Sequence, residues 1–243
     1  MIYPFSVKSN FVMIPGGWHG GWAWAPVARR LRGAGHRAVT LTMPGLADGD
    51  DAAGWRLRDA VAHIVGEVER RDLTGITLVA HSWGGFPTTG AAQQLAGRLS
   101  KIVYYNAFVP EPGRSTLGEF PPELATEIRS AIASTPDHVW IPSLDIVRQA
   151  LLPDEPEAAQ RLLLELMAPH PGEYGEDALD EPAVTDLGVP LAYILSEEDR
   201  GLLRPNAGAE YAARLGVTPV MVPGSHESLL THPDEVAAAV MSV

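Results

Sequence analysis

A serine stands in the run Val79-Ala80-His81-Ser82-Trp83-Gly84-Gly85, directly after an apolar stretch and directly before one with helical spacing. A tight strand-to-helix turn there would lift the Ser82 hydroxyl above the edge of a sheet, in the arrangement called a nucleophile elbow. Such a turn crowds the residues two before and two after the serine, so both must be small. Ala80 and Gly84 meet that demand, with Ala80 a mild departure from the strict G-x-S-x-G form. A serine hydroxyl is a weak nucleophile near neutral pH and needs a base that a third group orients. After an elbow of this type the expected chain order is serine, acid, histidine.

Eight histidines are available. His226, in Val222-Pro223-Gly224-Ser225-His226-Glu227, follows the last strand-like run and precedes the last helix-like one, where a loop at the carboxyl edge of a sheet would deliver it. His232 competes, but its context THPDEV reads as a helix start; His36 lies in a turn and His63 on a helix. For the acid, Ser196-Glu197-Glu198-Asp199-Arg200 follows the apolar run LAYIL. Asp199 is preferred over Glu197 and Glu198 because it lies deeper in the loop and is followed by an Arg-Gly turn. One helix and one strand separate Asp199 from His226, so both should emerge at the same edge of neighbouring strands. Backbone N–H groups of Trp83 and Gly17 are the expected donors to an oxyanion, Gly17 lying in the Gly-rich run Pro15-Gly16-Gly17-Trp18-His19-Gly20-Gly21. That run lacks the Lys-Ser/Thr of a P-loop and does not fit G-x-G-x-x-G, which argues against a nucleotide site.

Short apolar runs alternate with longer amphipathic ones, the pattern of an α/β fold with a mostly parallel sheet flanked by helices. Strands are expected at Phe11–Ile14, Arg37–Thr42, Ile76–Ala80, Lys101–Tyr105, Leu191–Leu195 and Pro219–Val222. Helices are expected at Ala25–Ala34, Leu57–Arg71, Phe86–Arg98, Pro205–Leu215 and Pro233–Val240, the last with a first-turn proline followed by Asp234 and Glu235. Residues 110–185 break the rhythm: PPELATEIRSAIA and EPEAAQRLLLELMA read as helices between Pro-rich, acidic joints, with no strand signal. This predicts a core of residues 1–109 and 186–243 and an all-helical cap, or lid, of residues 110–185 inserted between two strands.

Composition narrows the chemistry further. The chain has 243 residues, 46% hydrophobic, enough for a sizeable core. Thirty acidic against eighteen basic residues give a formal charge of −12, which would repel nucleic acid and anionic membrane alike. The absence of cysteine excludes a disulfide framework, a thiolate metal site and a cysteine nucleophile. The opening MIYPFSVKSNFVMIPGG has neither a basic start nor an unbroken apolar stretch, and no run nears the roughly 18 to 20 apolar residues of a membrane span. The expectation is a soluble, cytoplasmic protein with no cofactor and no metal, its oligomeric state left open.

The runs FVMIPGGWHGGWAWAPVARRLRGAGHRAVTLTMPG, LVAHSWGGF, IVYYNAFVPEPG, YILSEEDRG and PGSHESLLTHPDEVA together resemble the hydroxynitrile lyase and plant methylesterase branch of the α/β-hydrolase superfamily, with its bacterial esterase-like relatives. The resemblance covers residues 10–112 and 186–242 and implies an α/β-hydrolase fold. It implies Ser82 as nucleophile, His226 as base, Asp199 as orienting acid, and Gly17 and Trp83 as oxyanion donors. Cyanohydrin lyases of this branch carry threonine at the position of Gly16 and lysine at that of Glu227, so the resemblance implies ester hydrolysis over lyase chemistry. Two positions depart from the pattern. Pro15 replaces a usual histidine, and Asn106 replaces the aspartate of Asp-Ala-Phe-Val-Pro.

The expected reaction is serine-dependent cleavage of a small or medium apolar carboxylic ester, thioester or lactone through an acyl-enzyme. The pocket is expected to be floored by Trp18, His19 and His81, with Phe108, Phe120, Trp140 and Leu144 as roof contacts. An alternative keeps the fold and uses His226 as base for a lyase, an aldol or cyclisation reaction, or a cofactor-free oxygenation, with Ser82 only positioning substrate. A ligand receptor is a third class, disfavoured because an intact Ser, His and Asp set has no role in a pure binder. Dehalogenase and epoxide-hydrolase chemistry would require aspartate in place of Ser82.

Overall fold

A computed structural model describes residues 8–243. The part of the opening-segment reading that concerns residues 1–7 lies outside the described residues. Six strands, β1 Asn10–Ile14, β2 Arg37–Thr40, β3 Ile76–His81, β4 Leu99–Tyr105, β5 Leu191–Ser196 and β6 Val220–Val222, form one sheet. Their order is β6-β5-β4-β3-β1-β2, and every neighbouring pair is parallel. The six expected strands are thus all present, each within two residues of its expected bounds.

Strands buried on both faces explain the unbroken apolar runs. All six residues of β3 are buried. Alternate side chains point to opposite faces: Ile76, Leu78 and Ala80 join one apolar layer with Phe86, Ile102 and Tyr104, whereas Val79 joins another with Met13, Trp24 and Val103. The first layer is covered by helices α2 Leu57–Arg70, α3 Gly85–Leu95 and, further along the chain, Ala207–Arg214. The opposite layer is covered by α1 Ala25–Gly33 and by the helix Pro233–Ser242. No helix among the described residues is long and apolar enough to cross a membrane.

The chain runs outward from β1 to β2, then crosses back past β1 to β3. The loops leaving the carboxyl ends of β1 and β3 therefore turn to opposite sides, and a crevice opens between them, the usual ligand position in an open parallel sheet. The Gly-rich run and Ser82 sit on those two loops.

No strand of this sheet arises between Tyr105 and Leu191. The segment contains the helices Pro122–Ala133 and Glu157–Leu166, but its expected all-helical character is corrected by two short antiparallel ladders. Arg114–Ser115 pairs with Ala178–Leu179, and Val139–Trp140 pairs with His170–Pro171. Each strand is two residues long, too short to show a period of two in sequence, and its partner is remote along the chain. The ladders fold the segment back on itself and bring Thr116, Trp140 and His170 over the crevice. A buried carboxylate anchors it to the core: Glu119 accepts from both terminal guanidinium nitrogens of Arg214, at 3.2 and 3.1 Å, and from the Tyr211 hydroxyl at 3.2 Å.

Candidate active site

Ser82 occupies left-handed backbone space, with φ of +53°. A non-glycine residue there is strained and persists only where its surroundings over-determine it. Main-chain bonds supply that constraint: Ser82 N–H donates to the Asn106 carbonyl at 3.2 Å, and Phe108 N–H donates to the Ser82 carbonyl at 3.2 Å. The glycines after the serine answer to close backbone approach. A β-carbon on Gly84 would fall 2.5 Å from the Pro15 carbonyl oxygen, and one on Gly85 would fall 1.9 Å from that of Phe108.

The loops after β5 and β6 meet edge to edge, with Glu197 N–H donating to the Val222 carbonyl at 2.9 Å and Glu198 N–H to that of Gly224 at 3.0 Å. Glu197 and Glu198 remain exposed, whereas the Asp199 side chain turns inward and is 4% exposed. Its Oδ1 lies 2.6 Å from His226 Nδ1 and also accepts from Gly201 N–H at 2.9 Å. With Nδ1–H committed to Asp199, the neutral ring carries its lone pair on Nε2. Gly201 lies flat against the imidazole, where a β-carbon would come 2.2 Å from its Cγ. Burial by itself would lower the His226 pKa; the charge and hydrogen bond of Asp199, with the charge of Glu227, outweigh it and leave the value raised.

Behind the Ser82 turn, His81 and His19 are both buried. His81 ends β3 on the Val79 face, donates from Nε2 to the His226 carbonyl at 3.2 Å, and is held well below its ordinary pKa, by burial first and then by the neighbouring histidines. His19 Nδ1 bonds the Gly17 carbonyl at 2.6 Å, and its Nε2 lies 3.5 Å from Glu227 Oε1. Asn106, also at positive φ, ties the two halves together: its Nδ2 donates to the Ser196 hydroxyl at 2.8 Å and the His226 carbonyl at 3.1 Å, and its Oδ1 accepts from Ser196 N–H at 2.7 Å.

Ser82, Gly17 and Trp83 line one narrow cavity with about 30 Å³ of accessible space, and Gly201 brings its wall to the His226 ring. Trp18, Phe108, Phe120 and Trp140 line it as expected from sequence. His19, His81 and Leu144 are not part of its wall. For His81 the reason is the strand pleat, which turns its ring to the opposite face of the sheet from Ala80; His19 is drawn down by its bond to Gly17. Unforeseen wall residues include Thr116, Leu151, His170 and Leu203. His170 sits in the Pro-rich run Met167-Ala168-Pro169-His170-Pro171, which carries no motif to single it out; only the ladder pairing His170 with Trp140 brings it here.

Trp18 joins the Gly-rich loop to the segment above it. It has φ of +64°; its N–H donates to His170 Nδ1 at 3.4 Å, its indole Nε1–H to the Trp140 carbonyl at 3.0 Å, and its carbonyl accepts from Ala168 N–H at 2.9 Å.

Residues 11–239 match the Alpha/beta hydrolase family, and the chain belongs to it. Among curated relatives, the chain is 38% identical over 122 residues to the carbendazim hydrolyzing esterase of Nocardioides sp. (strain SG-4G), covering 49% of this chain and 50% of that one. Methylesterase 9 of Arabidopsis thaliana is 30% identical over 105 residues, covering 42% and 41%. The chain thus spans about half the length of the curated relatives it matches. An extracellular alpha/beta-hydrolase from a Paenibacillus species, described as structurally and functionally homologous to tobacco salicylic acid binding protein 2, superposes with a TM-score of 0.88 over 97% of this chain and 98% of that chain. Its 21% identity makes this a likeness of fold.

Proposed function

We propose that the protein is a serine hydrolase of small carboxylic esters, acting through Ser82, His226 and Asp199. The supporting observation is the 2.6 Å contact of His226 Nδ1 with Asp199 Oδ1, beside a cavity whose wall includes the strained Ser82 turn. In this reading His226 Nε2 takes the Ser82 proton as the hydroxyl oxygen attacks the ester carbonyl. The oxyanion is held by the N–H groups of Gly17 and Trp83. His226 then passes its proton to the leaving alcohol, and water repeats the sequence on the acyl-enzyme. Residues 110–185 act as the cap that closes the site, and its aromatic wall selects compact apolar substrates, with thioesters and lactones of similar size admitted. The names of the two curated relatives, both esterases, agree with this reading.

Turnover of a 4-nitrophenyl ester, measured beside fluorophosphonate labelling, tests it. Wild type should turn over the ester and form a covalent adduct at Ser82, and Ser82→Ala should lose both. Full turnover by Ser82→Ala would remove the serine from the nucleophile's role. Lack of any adduct in an active wild type would favour the alternative in which His226 serves as base for non-hydrolytic chemistry.

A further inference from the structure

We propose that His170 is a specificity-determining hydrogen-bond donor to the substrate. On this view the site selects aromatic carbonyl compounds that carry a neutral acceptor atom beside the reactive carbonyl. This rests on the ester-hydrolase reading for the identity of the reacting carbonyl, and on the geometry of the cavity for everything else.

The imidazole is 2% exposed and forms part of the cavity wall with Ser82, Gly17 and Trp83. Its face lies over Gly17, where a β-carbon would stand 3.6 to 3.8 Å from three ring atoms, and its ring meets that of Trp83 nearly at right angles, centroids 4.8 Å apart. His170 therefore adjoins both expected oxyanion donors. Its protonation is fixed. Nδ1 accepts from Trp18 N–H, so the neutral ring must carry its hydrogen on Nε2. Burial, assisted by His19, lowers its pKa to about 3, so the ring stays uncharged at neutral pH. Nε2–H can then only donate, and it has no acceptor among the described residues.

A neutral donor with no partner favours a neutral acceptor, such as a ring nitrogen or an ether or carbonyl oxygen. A carboxylate would have to shed its hydration without meeting a positive charge. A second polar group supports the same ligand class. Thr116 lines the same cavity, and its buried Oγ1 has no hydrogen-bond partner among the described residues. The remaining wall is dominated by Trp18, Phe108, Phe120 and Trp140, which favour flat aromatic bodies. A ligand lacking the acceptor would cover the Nε2–H without pairing it, and so bind more weakly than one that supplies an acceptor.

The test uses two ketones without leaving groups, 2-acetylpyridine and acetophenone, which differ by one ring nitrogen against one C–H. Their dissociation constants are measured calorimetrically for the wild type, His170→Phe and His170→Gln, with thermal unfolding of each variant. The expected result is a 2-acetylpyridine preference that falls about tenfold in His170→Phe and is largely kept in His170→Gln, whose amide can still donate. An unchanged preference in His170→Phe, equal weakening of both ketones, or failure of wild type to bind either overturns the proposal. Should His170→Phe not fold, His170→Gln decides alone: a preference reduced as far as acetophenone parity overturns it. Ketone binding needs no chemistry at Ser82, so loss of the hydrolase reading would leave this measurement intact.

Discussion

The side-chain amide of Asn106 donates to the main-chain carbonyl of His226 at 3.1 Å, while the main-chain carbonyl of the same Asn106 accepts from Ser82 N–H at 3.2 Å. One fully buried residue thereby fixes the serine turn and the histidine loop against each other, although they arise from strands on opposite sides of β4. Replacing it by alanine removes three side-chain hydrogen bonds and strands Ser196 N–H without its acceptor. Asn106→Ala should lose about 2–4 kcal/mol of unfolding free energy. Chemical denaturation measures the loss, and ester turnover should fall more than stability alone would require. A variant of wild-type stability would show that the amide positions nothing.

On the proposed mechanism, the charges around His226 set the pH at which it can serve as a base. Its folded pKa lies above the ordinary 6.5, held there by Asp199 and Glu227 against burial. Protonated His226 cannot accept the serine proton, so activity should rise with pH through that elevated value. Stability runs the other way: the contribution from the raised pKa is complete below the unfolded value and is lost as pH climbs through the folded one. Glu227→Gln removes one of the raising charges and should move the acid limb of the kcat/KM profile to lower pH. Asp199→Asn should move it the same way and also cut kcat by about 10² to 10⁴, since the tautomer is no longer imposed. An acid limb that stays in place in both variants would remove His226 from the role of base.

If His226 is the base, substitution at Gly201 should act on turnover first. A β-carbon there would lie 2.2 Å from His226 Cγ, so Gly201→Ala must displace the imidazole from its place beside Asp199. Turnover should drop by about a hundredfold or more, given the sensitivity of such alignments to displacements near 1 Å. Gly85→Ala places its added carbon 1.9 Å from the Phe108 carbonyl oxygen, where the first turn of α3 meets the loop after β4, and should lower the melting temperature as well. Thermal unfolding and ester turnover of the two variants side by side would reveal the contrast.

Glu119 carries the junction between the inserted segment and the core. Its carboxylate is buried, and removing it leaves the Tyr211 hydroxyl without its acceptor and the Arg214 guanidinium with only the Val109 carbonyl and Glu111. Arg214 keeps partial solvent contact, so the cost of Glu119→Ala should be about 2–3 kcal/mol, below that of severing a fully buried pair. Hydrogen exchange should show faster protection loss in residues 114–133 than in β3.

The sheet was legible in the sequence because its central strands are largely buried and its strands end in glycine-rich or acidic loops. Ser82, Asp199 and His226 were found from the same strand-then-loop rhythm, and the latter two meet in space. Three things were not legible. The ladders of the inserted segment are too short to leave a period. His81 alternates away from the cavity because an odd or even place on a strand decides its face, and its type alone does not. His170 enters the wall through a pairing with Trp140 that no local pattern encodes. Asn106 was visible only as a departure from a family pattern; its use as a two-sided brace depends on atoms contributed by Ser196 and His226.

The three hydrogen bonds that Trp18 makes to residues 140, 168 and 170 have a mechanical meaning. Gly17 and Trp18 are adjacent in the chain, so the stretch expected to polarise the substrate is laced to the roof of the site. If the roof lifts to admit a molecule, either those bonds break or the lacing drags Gly17 out of register. Entry and activation are then coupled like a latch and its striker: the door must shut before the N–H groups come back into aim. A loosened roof would speed exchange of molecules and, by the same movement, blunt the chemistry performed on them.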